Sequence, residues 1–348
     1  RWHGQGGRAG RHRLVVARAP THRWCDRAGL LHWRGRELGR LANLFGPGVL
    51  TSRAGQRRHR HARCGLKPAA RQPCLSARRL RHINTASQTT NNAYLFDFYP
   101  RLEETLEMRF FYPMPLFRPF ANEEMKNWLE ARKDQIHHDY LRWESTGVWV
   151  KQAGWVDVPS LLRASRAYFA AKGLLKEMEY TGNQAIFCEG FHGMKNPLWS
   201  CLNFLPAKGE LLKIQTVQAD PSFILNKNGF LLPIGQNAYK VGATYRWDEF
   251  GPEPTVSGYE ELKDKLAQFK VNEYLEIEKM VGIRPATQDR RPFVGMHPEK
   301  SQGIFNGFGS KGVSLIPYFA DEFVSEIQGK KMVHPDASIR RFNHLFSI

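Results

Sequence analysis

Apolar residues recur with a regular period only from about residue 83 onward, and several of these repeats predict amphipathic helices. Asn122 is a good N-cap for EEMKNWLEARKDQI, while Pro159 opens PSLLRASRAYFAAKG, which ends at Gly173. SGYEELKDKLAQFK follows the same pattern with Ser257 as its cap. A short helix is also expected around residues 101–106, before the strand-like segment MRFFYPMPLFRPF.

Between these helices, short apolar segments predict two kinds of strand. QAIFCEG, residues 184–190, reads as a buried parallel strand that ends at a ligand-facing glycine, although an ordinary core strand would look the same. GFLLPIG and AYKVGATYRW have strand propensity, and Gly235, Gln236 and Asn237 offer a hairpin turn between them. This order of elements fits two interleaved domains better than two tandem ones.

The last strand–turn–helix unit contains the glycine-rich segment NGFGSKG at residues 306–312. A helix, VSLIPYFADEFVSEIQG, follows it and ends at Gly329. Such a turn presents bare backbone N–H groups at the positive end of a helix dipole, which suits a phosphate or a reduced flavin. A surface turn with a capping glycine is the alternative. The segment lacks the GxxxxGK[ST] spacing, so a P-loop is excluded.

Charge divides the chain sharply into two parts. The net charge of +18 falls entirely within residues 1–82, which hold 19 arginines and one lysine against Asp26 and Glu37, whereas residues 83–348 are balanced. Three interpretations fit this segment: a basic tail that binds nucleic acid, an arginine-rich targeting peptide, or GC-rich DNA translated out of frame. The absence of Ile, Met and Tyr from the segment favours the last.

Other features bound the class of protein. Five cysteines show no CxxC spacing, which indicates free thiols in a reducing compartment and a cytoplasmic location. No apolar run approaches ~18 residues, so we expect no membrane span, and we expect no secretory signal. His137 and His138 lack metal partners in the pattern, so no metal site is expected. Because the basic excess is confined to one end, no specific nucleic-acid partner is expected.

Two consecutive segments carry the most specific pattern, GIRPATQDRRPFVG and GIFNGFGSKGVSLIPYFADEFVSEIQG. Together they resemble the C-terminal signature of the D-amino-acid oxidase/glycine oxidase (DAO) family of FAD-dependent oxidoreductases. GWVDVPSLLRASRAYF, AIFCEG, PAKGELLKI and YKVGATYRW follow the family's order, so the resemblance covers about residues 90–345. It implies an α/β fold of the glutathione-reductase type, with an FAD-binding Rossmann-like domain interleaved with a mixed or antiparallel β-sheet substrate domain.

On this resemblance the domains alternate along the chain. Residues 154–195 and 276–348 would belong to the FAD-binding domain, and residues 83–153 and 196–275 to the substrate domain. Residues 1–82 stand where the N-terminal FAD-binding segment is expected, and we interpret them as a degraded or frameshifted version of it. We therefore expect residues 1–82 not to form a stable dinucleotide-binding βαβ unit.

The resemblance also implies a cofactor and a reaction. Family members oxidise the C–N bond of an amino acid or related amine by hydride transfer to FAD, and O₂ or another electron acceptor reoxidises the flavin. Arg284 in GIRP matches the arginine that pairs with the substrate carboxylate. Tyr245 is expected to line the pocket, and Lys311 to stabilise negative charge on the flavin. A structural ion pair for Arg284 and core packing for Tyr245 are the alternatives.

Three groups of residues are expected to contact FAD. The pyrophosphate fingerprint is loosely present as GxGxxA in Gly4, Gly6 and Ala9, and reading one nucleotide later permits a fuller version. Gly190 closes AIFCEG. The C-terminal turn contributes Gly307, Gly309, Ser310, Lys311, Gly312 and Val313.

Two alternatives to an active amine or amino-acid oxidoreductase remain open. In the first, the chain is a non-catalytic or defective family member that lacks FAD because its fingerprint is scrambled. In the second, it is a tRNA-modifying oxidase of the same family, because such enzymes share the C-terminal pattern. A small amine or amino acid is the expected partner under the main hypothesis.

Overall fold

The computed structural model describes residues 14–16, 30–31, 86–131, 141–178 and 182–346. Within these ranges the α-helices are α1 (Ala86–Leu106), α2 (Glu123–Glu130), α3 (Val158–Ala171), α4 (Val256–Gln268) and α5 (Gly312–Ile327). Short 3-10 helices cover Gly190–Lys195, Pro197–Trp199, Gly309–Lys311 and Ile339–Leu345. None of the described helices is both long enough and apolar enough to cross a membrane.

The strands form two large sheets and one small one. In chain order the described strands are β1 (Leu14–Val16), β2 (Leu30–Leu31), β3 (Phe111–Pro113), β4 (Leu116–Pro119), β5 (Leu141–Glu144), β6 (Gly147–Val150), β7 (Gly154–Val156), β8 (Leu175–Glu177), β9 (Ala185–Phe187), β10 (Ala207–Gln215), β11 (Ile224–Asn226), β12 (Phe230–Gly235), β13 (Ala238–Gly242), β14 (Leu275–Arg284), β15 (Phe293–Met296) and β16 (Gln302–Asn306). The six-stranded sheet has the order β15-β16-β9-β2-β1-β8, and the eight-stranded sheet has the order β14-β10-β13-β12-β11-β4-β6-β5. The two-stranded sheet joins β3 to β7.

The six-stranded sheet contains the predicted buried parallel strand. β9 pairs in parallel with β16, with Ile186 opposite Gly303. Ile186 belongs to one core cluster with Ile316 and Phe319 of α5, so this helix covers the end of the sheet. The prediction that QAIFCEG forms a parallel strand is therefore confirmed. β1 and β2, which come from the first 82 residues, pair with each other in antiparallel fashion within this sheet.

The eight-stranded sheet is mainly antiparallel, with one parallel pair between β4 and β11. The predicted hairpin joins β12 to β13, and Gln236 and Asn237 both have positive φ, as a primed two-residue turn requires. Helix α4 packs on one face of this sheet. Its N-cap is Thr255, whose side chain accepts from Gly258 N, so the expected cap at Ser257 was wrong by two residues.

Helix α1 is much longer than the predicted segment at residues 101–106. It begins at Ala86 and contains Pro100 in its interior. A proline inside a helix removes one backbone hydrogen bond and usually signals a boundary, which explains the shorter prediction. Packing overrides that signal, because buried apolar side chains recur along one side of the helix and meet α3. They are Leu95, Phe98, Tyr99, Leu102 and Leu106.

The chain passes repeatedly between the two large sheets. It contributes first to the six-stranded sheet, then to the eight-stranded one with β4 to β6, and returns with β8 and β9. It then builds β10 to β14 and ends with β15 and β16. The two sheets are thus interleaved in sequence, as the fold class predicted, while the domain boundaries themselves stay predictions.

Candidate active site

Arg284 is the last residue of β14, and its guanidinium lies against Gly209 of β10 in the eight-stranded sheet. Its Nη1 donates to the carbonyl oxygens of Lys208 and Thr244, both at 3.3 Å. Its Cζ lies 4.9 Å from the centre of the Tyr245 ring. Arg284 and Tyr245, predicted separately from the sequence, are therefore neighbours, and the guanidinium has a defined orientation.

The glycine-rich turn begins directly after β16. Gly307 has a φ of +81° and Gly309 a φ of +55°, which are left-handed conformations that favour glycine. A Cβ on Gly307 would also stand 2.7 Å from Thr287 Cγ2, so this glycine is required by packing within the protein. Among the described residues, a Cβ on Gly309 would meet only Ala286, at 3.4 Å. Packing among the described residues therefore requires glycine at position 307 but not at position 309.

One backbone hydrogen bond joins the turn to the segment that carries Arg284. Gly309 N donates to the carbonyl oxygen of Pro285 at 3.1 Å, and Pro285 directly follows Arg284. The end of β14 and the turn before α5 are thus fixed against each other. Residues from the predicted substrate site and from the predicted flavin site meet at this point.

The N-terminus of α5 is suited to a negatively charged group. Lys311 occupies the N-cap position and makes no side-chain capping hydrogen bond. Helix N-termini leave backbone N–H groups without an intrahelical partner, and anions bind there. Burial, and then the nearby charge of Arg290, lower the pKa of the Lys311 ammonium. Both effects destabilise the charged form of Lys311, and a bound anion beside it would stabilise that form.

Asn306 was missed by the sequence reasoning, although it stands beside the glycines in NGFGSKG. Its side-chain amide donates to the Gly190 carbonyl at 2.9 Å, and its Oδ1 accepts from Gly307 N at 2.7 Å. Asn306 is buried, and these two hydrogen bonds join the predicted flavin contact Gly190 to the glycine-rich turn. An Asn before a glycine turn can bond its own backbone, and that pattern was the available signal.

Several predicted residues remain untested by this geometry. Gly4, Gly6 and Ala9 lie outside the described residues, as do His137 and His138. Ser310 is exposed, and Val313 is half-buried at the start of α5. In the described part of the chain no group of His, Cys, Asp or Glu side chains could hold a metal ion.

Fold and site together describe an α/β protein with two interleaved sheets and an arginine beside a glycine-rich turn. The family described as FAD dependent oxidoreductase (DAO) matches residues 92–325, and the chain belongs to it. This membership confirms the resemblance inferred from GIRP and NGFGSKG.

Individual relatives match over shorter stretches. Glycine oxidase from Bacillus subtilis (strain 168) is 27% identical over 137 residues, which is 38% of this chain and 37% of the relative. The bifunctional protein MnmC of tRNA 5-methylaminomethyl-2-thiouridine biosynthesis from Marinobacter nauticus is 25% identical over 140 residues, 36% of this chain and 22% of the relative. The chain thus spans 37% of the length of the first of these curated relatives and 22% of the second.

Solved structures extend the likeness of the fold. Glycine oxidase from Geobacillus kaustophilus has a TM-score of 0.58 at 19% identity, covering 70% of this chain and 78% of its own. Iminodiacetate oxidase from Chelativorans sp. BNC1 has a TM-score of 0.60 at 16% identity, covering 73% and 85%. At these identities the likeness concerns the fold alone.

Proposed function

We propose that this chain is an FAD-dependent oxidoreductase that oxidises the C–N bond of a small amine or amino acid bearing a carboxylate. The observation that carries the proposal is the hydrogen bond from Gly309 N to the Pro285 carbonyl, at 3.1 Å. It fixes the residue after Arg284 against the turn predicted to face the flavin. A substrate held by Arg284 would therefore lie beside that turn.

Arg284 is proposed to bind the substrate carboxylate. Its guanidinium is oriented by the neutral carbonyl oxygens of Lys208 and Thr244, each at 3.3 Å. A planar guanidinium held in one orientation suits a bidentate contact with a carboxylate. Tyr245, with its ring 4.9 Å from the Arg284 Cζ, would form one wall of the same pocket.

The residues around the N-terminus of α5 are proposed to hold FAD. A Cβ on Gly309 would fill space beside Ala286, and the N-terminus of α5 has no side-chain cap, so Gly312 and Val313 are proposed to contact the cofactor there. Bound FAD would supply the two-electron acceptor, and this family is named for it. Lys311 is proposed to hold a positive charge near the part of the flavin that gains negative charge on reduction.

The remaining parts of the proposal rest on sequence. Gly4, Gly6 and Ala9 are proposed to hold the pyrophosphate, and O₂ or another acceptor to take the electrons. Cys188 is half-buried and forms no disulfide, and desolvation of its thiol, followed by the Glu189 charge, raises its pKa to about 12. A thiol with a raised pKa stays protonated at neutral pH and is a poor nucleophile. Free thiols in the described chain support a cytoplasmic location.

Purification of the full chain with added FAD tests the proposal. The protein should retain FAD through gel filtration, and anaerobic mixing with glycine, iminodiacetate or L-proline should bleach the flavin absorbance. Bleaching by at least one carboxylate-bearing amine supports the function. A chain that loses all FAD would instead be the defective family member, and a chain that keeps FAD without bleaching would not oxidise these amines.

A second candidate function is suggested by the match to the MnmC protein of Marinobacter nauticus. Under it, the amine to be oxidised would be carried on a modified tRNA nucleoside. The same flavin-bleaching measurement separates the two candidates when tRNA from cells lacking the modification enzyme is compared with free amino acids. Bleaching by tRNA alone would favour the second candidate.

A further inference from the structure

Gly209 lies inside β10, buried and opposite Gly282 of β14 in the ladder. Its φ is not in the left-handed region, so its conformation is one that any residue adopts. Glycine weakens a strand interior by about 0.5–1 kcal/mol relative to alanine, and there it often marks the close approach of another group. The group that approaches Gly209 is the guanidinium of Arg284.

We propose that Gly209 is a positioning residue that sets the orientation in which Arg284 binds the substrate carboxylate. This inference rests on the proposed function of Arg284. A Cβ at position 209 would overlap Cζ, Nη1 and Nη2 of Arg284. The guanidinium would have to leave the surface of the strand and lose its hydrogen bonds to Lys208 O and Thr244 O.

The carbonyl oxygens of Lys208 and Thr244 cannot move with the guanidinium, because other hydrogen bonds fix both residues in place. The fully buried Lys208 ammonium donates to Glu249 at 2.9 Å and to the Glu253 carbonyl at 2.7 Å. Thr244 is fixed to Glu210 in both directions, since Thr244 N donates to Glu210 O and Glu210 N donates to Thr244 Oγ1. A displaced Arg284 would therefore lose its acceptors.

Folding and binding should respond differently to a side chain at position 209. The atoms that the new Cβ would meet belong to the guanidinium of Arg284. This group is the far end of a flexible side chain, which can move aside at little cost to the fold. Alanine also removes the entropic cost of glycine in a strand. The positioning role therefore predicts a variant that folds normally and binds carboxylates poorly.

The test compares Gly209→Ala with Gly282→Ala in the full chain supplied with FAD. Gly282 is the exposed cross-strand partner of Gly209, and a Cβ there meets no atom of the described residues within 4 Å, so it is the control for adding a methyl group to this pair. The carboxylate probe is glycolate, which has a hydroxyl where glycine has its amine. Gly209→Ala should weaken glycolate binding, and raise KM for the best amine substrate, by about 10- to 100-fold. Its thermal midpoint and kcat should change little, and Gly282→Ala should match the wild type.

A double-mutant cycle with Arg284→Ala shows whether Gly209 acts through the arginine. Once the guanidinium is absent, Gly209→Ala should have no further effect on glycolate binding. An equal loss in both backgrounds, or wild-type affinity in Gly209→Ala, would overturn the positioning role, as would a wild-type chain that does not bind glycolate. Failure of the proposed function is distinct, because it shows as absent flavin bleaching in a wild type that binds glycolate.

Discussion

The hydroxyl of Tyr99 in α1 donates a 2.6 Å hydrogen bond to the carbonyl oxygen of Val313, in the first turn of α5. That carbonyl would normally accept from the N–H four residues later, but position 317 is a proline and has no N–H. Tyr99 therefore satisfies the acceptor that Pro317 leaves free. Burial raises the Tyr99 pKa, so the hydroxyl stays a donor. The contact fixes α5 beside the predicted flavin contact Val313.

Tyr99→Phe should lower the free energy of unfolding by about 1–3 kcal/mol, because a buried carbonyl loses its donor. Urea unfolding measures this loss. In a Pro317→Ala background the restored N–H can reach Val313 O, so the cost of Tyr99→Phe should fall below about 1 kcal/mol. Equal costs in the two backgrounds would show that the hydroxyl does not replace the missing N–H. Tyr94→Phe, which removes a longer 3.4 Å bond to Pro317 O, is the control.

The two turn glycines should separate stability from cofactor binding. Gly307→Ala should destabilise the fold by about 2–4 kcal/mol, because it combines left-handed strain with a clash against Thr287. Gly309→Ala should cost only about 1–2 kcal/mol of strain yet release FAD. Gly329→Ala carries the same type of strain, and no atom of the described residues lies within 4 Å of the added Cβ, so this variant should keep FAD. Normal FAD content in Gly309→Ala would mean that Gly309 serves only the turn.

Replacing Lys311 with Met should benefit the FAD-free chain, which becomes more stable, but should make bound FAD harder to reduce. Its folded pKa is lowered from 10.5, so the charged lysine destabilises the fold at neutral pH, and this penalty fades as the pH rises toward 10.5. Lys311→Met should therefore raise the thermal midpoint of the FAD-free chain at pH 7, and the gain should shrink by pH 10. A gain that is independent of pH would point to packing instead.

With FAD bound, the same variant should be harder to reduce, because the negative charge gained on reduction loses a cation. We expect the two-electron potential of Lys311→Met to fall on the order of 30 mV, which is about 1.4 kcal/mol. Spectroelectrochemical titration against the wild type measures this shift. An unchanged potential would remove Lys311 from the reaction.

Local patterns predicted those parts of the fold whose causes are local. The hairpin at Gln236 and Asn237 follows from residues that tolerate positive φ, and β9 follows from the apolar run ending at Gly190. The extent of α1 could not be predicted, because Pro100 signals a boundary that tertiary packing overrides.

The roles of Gly209 and Asn306 in the candidate site depend on long-range contacts, which the local sequence pattern does not reveal. Gly209 stands in the segment PAKGELLKI, but the group that requires a glycine there is Arg284, 75 positions later. Asn306 was adjacent to the predicted turn, yet its partner Gly190 lies 116 positions away. Only the pairing of β10 with β14, and of β9 with β16, brings these residues together.

The central claim is that Arg284 holds a carboxylate-bearing amine for oxidation by bound FAD. Its most direct test is anaerobic bleaching of the flavin in the wild type, Arg284→Lys and Arg284→Ala, as a function of amino-acid concentration. Arg284→Ala should need about 100-fold more substrate, equivalent to about 3 kcal/mol, and Arg284→Lys should recover only part of this loss because an ammonium cannot replace the planar fork. Bleaching of all three proteins at the same concentration would contradict the claim.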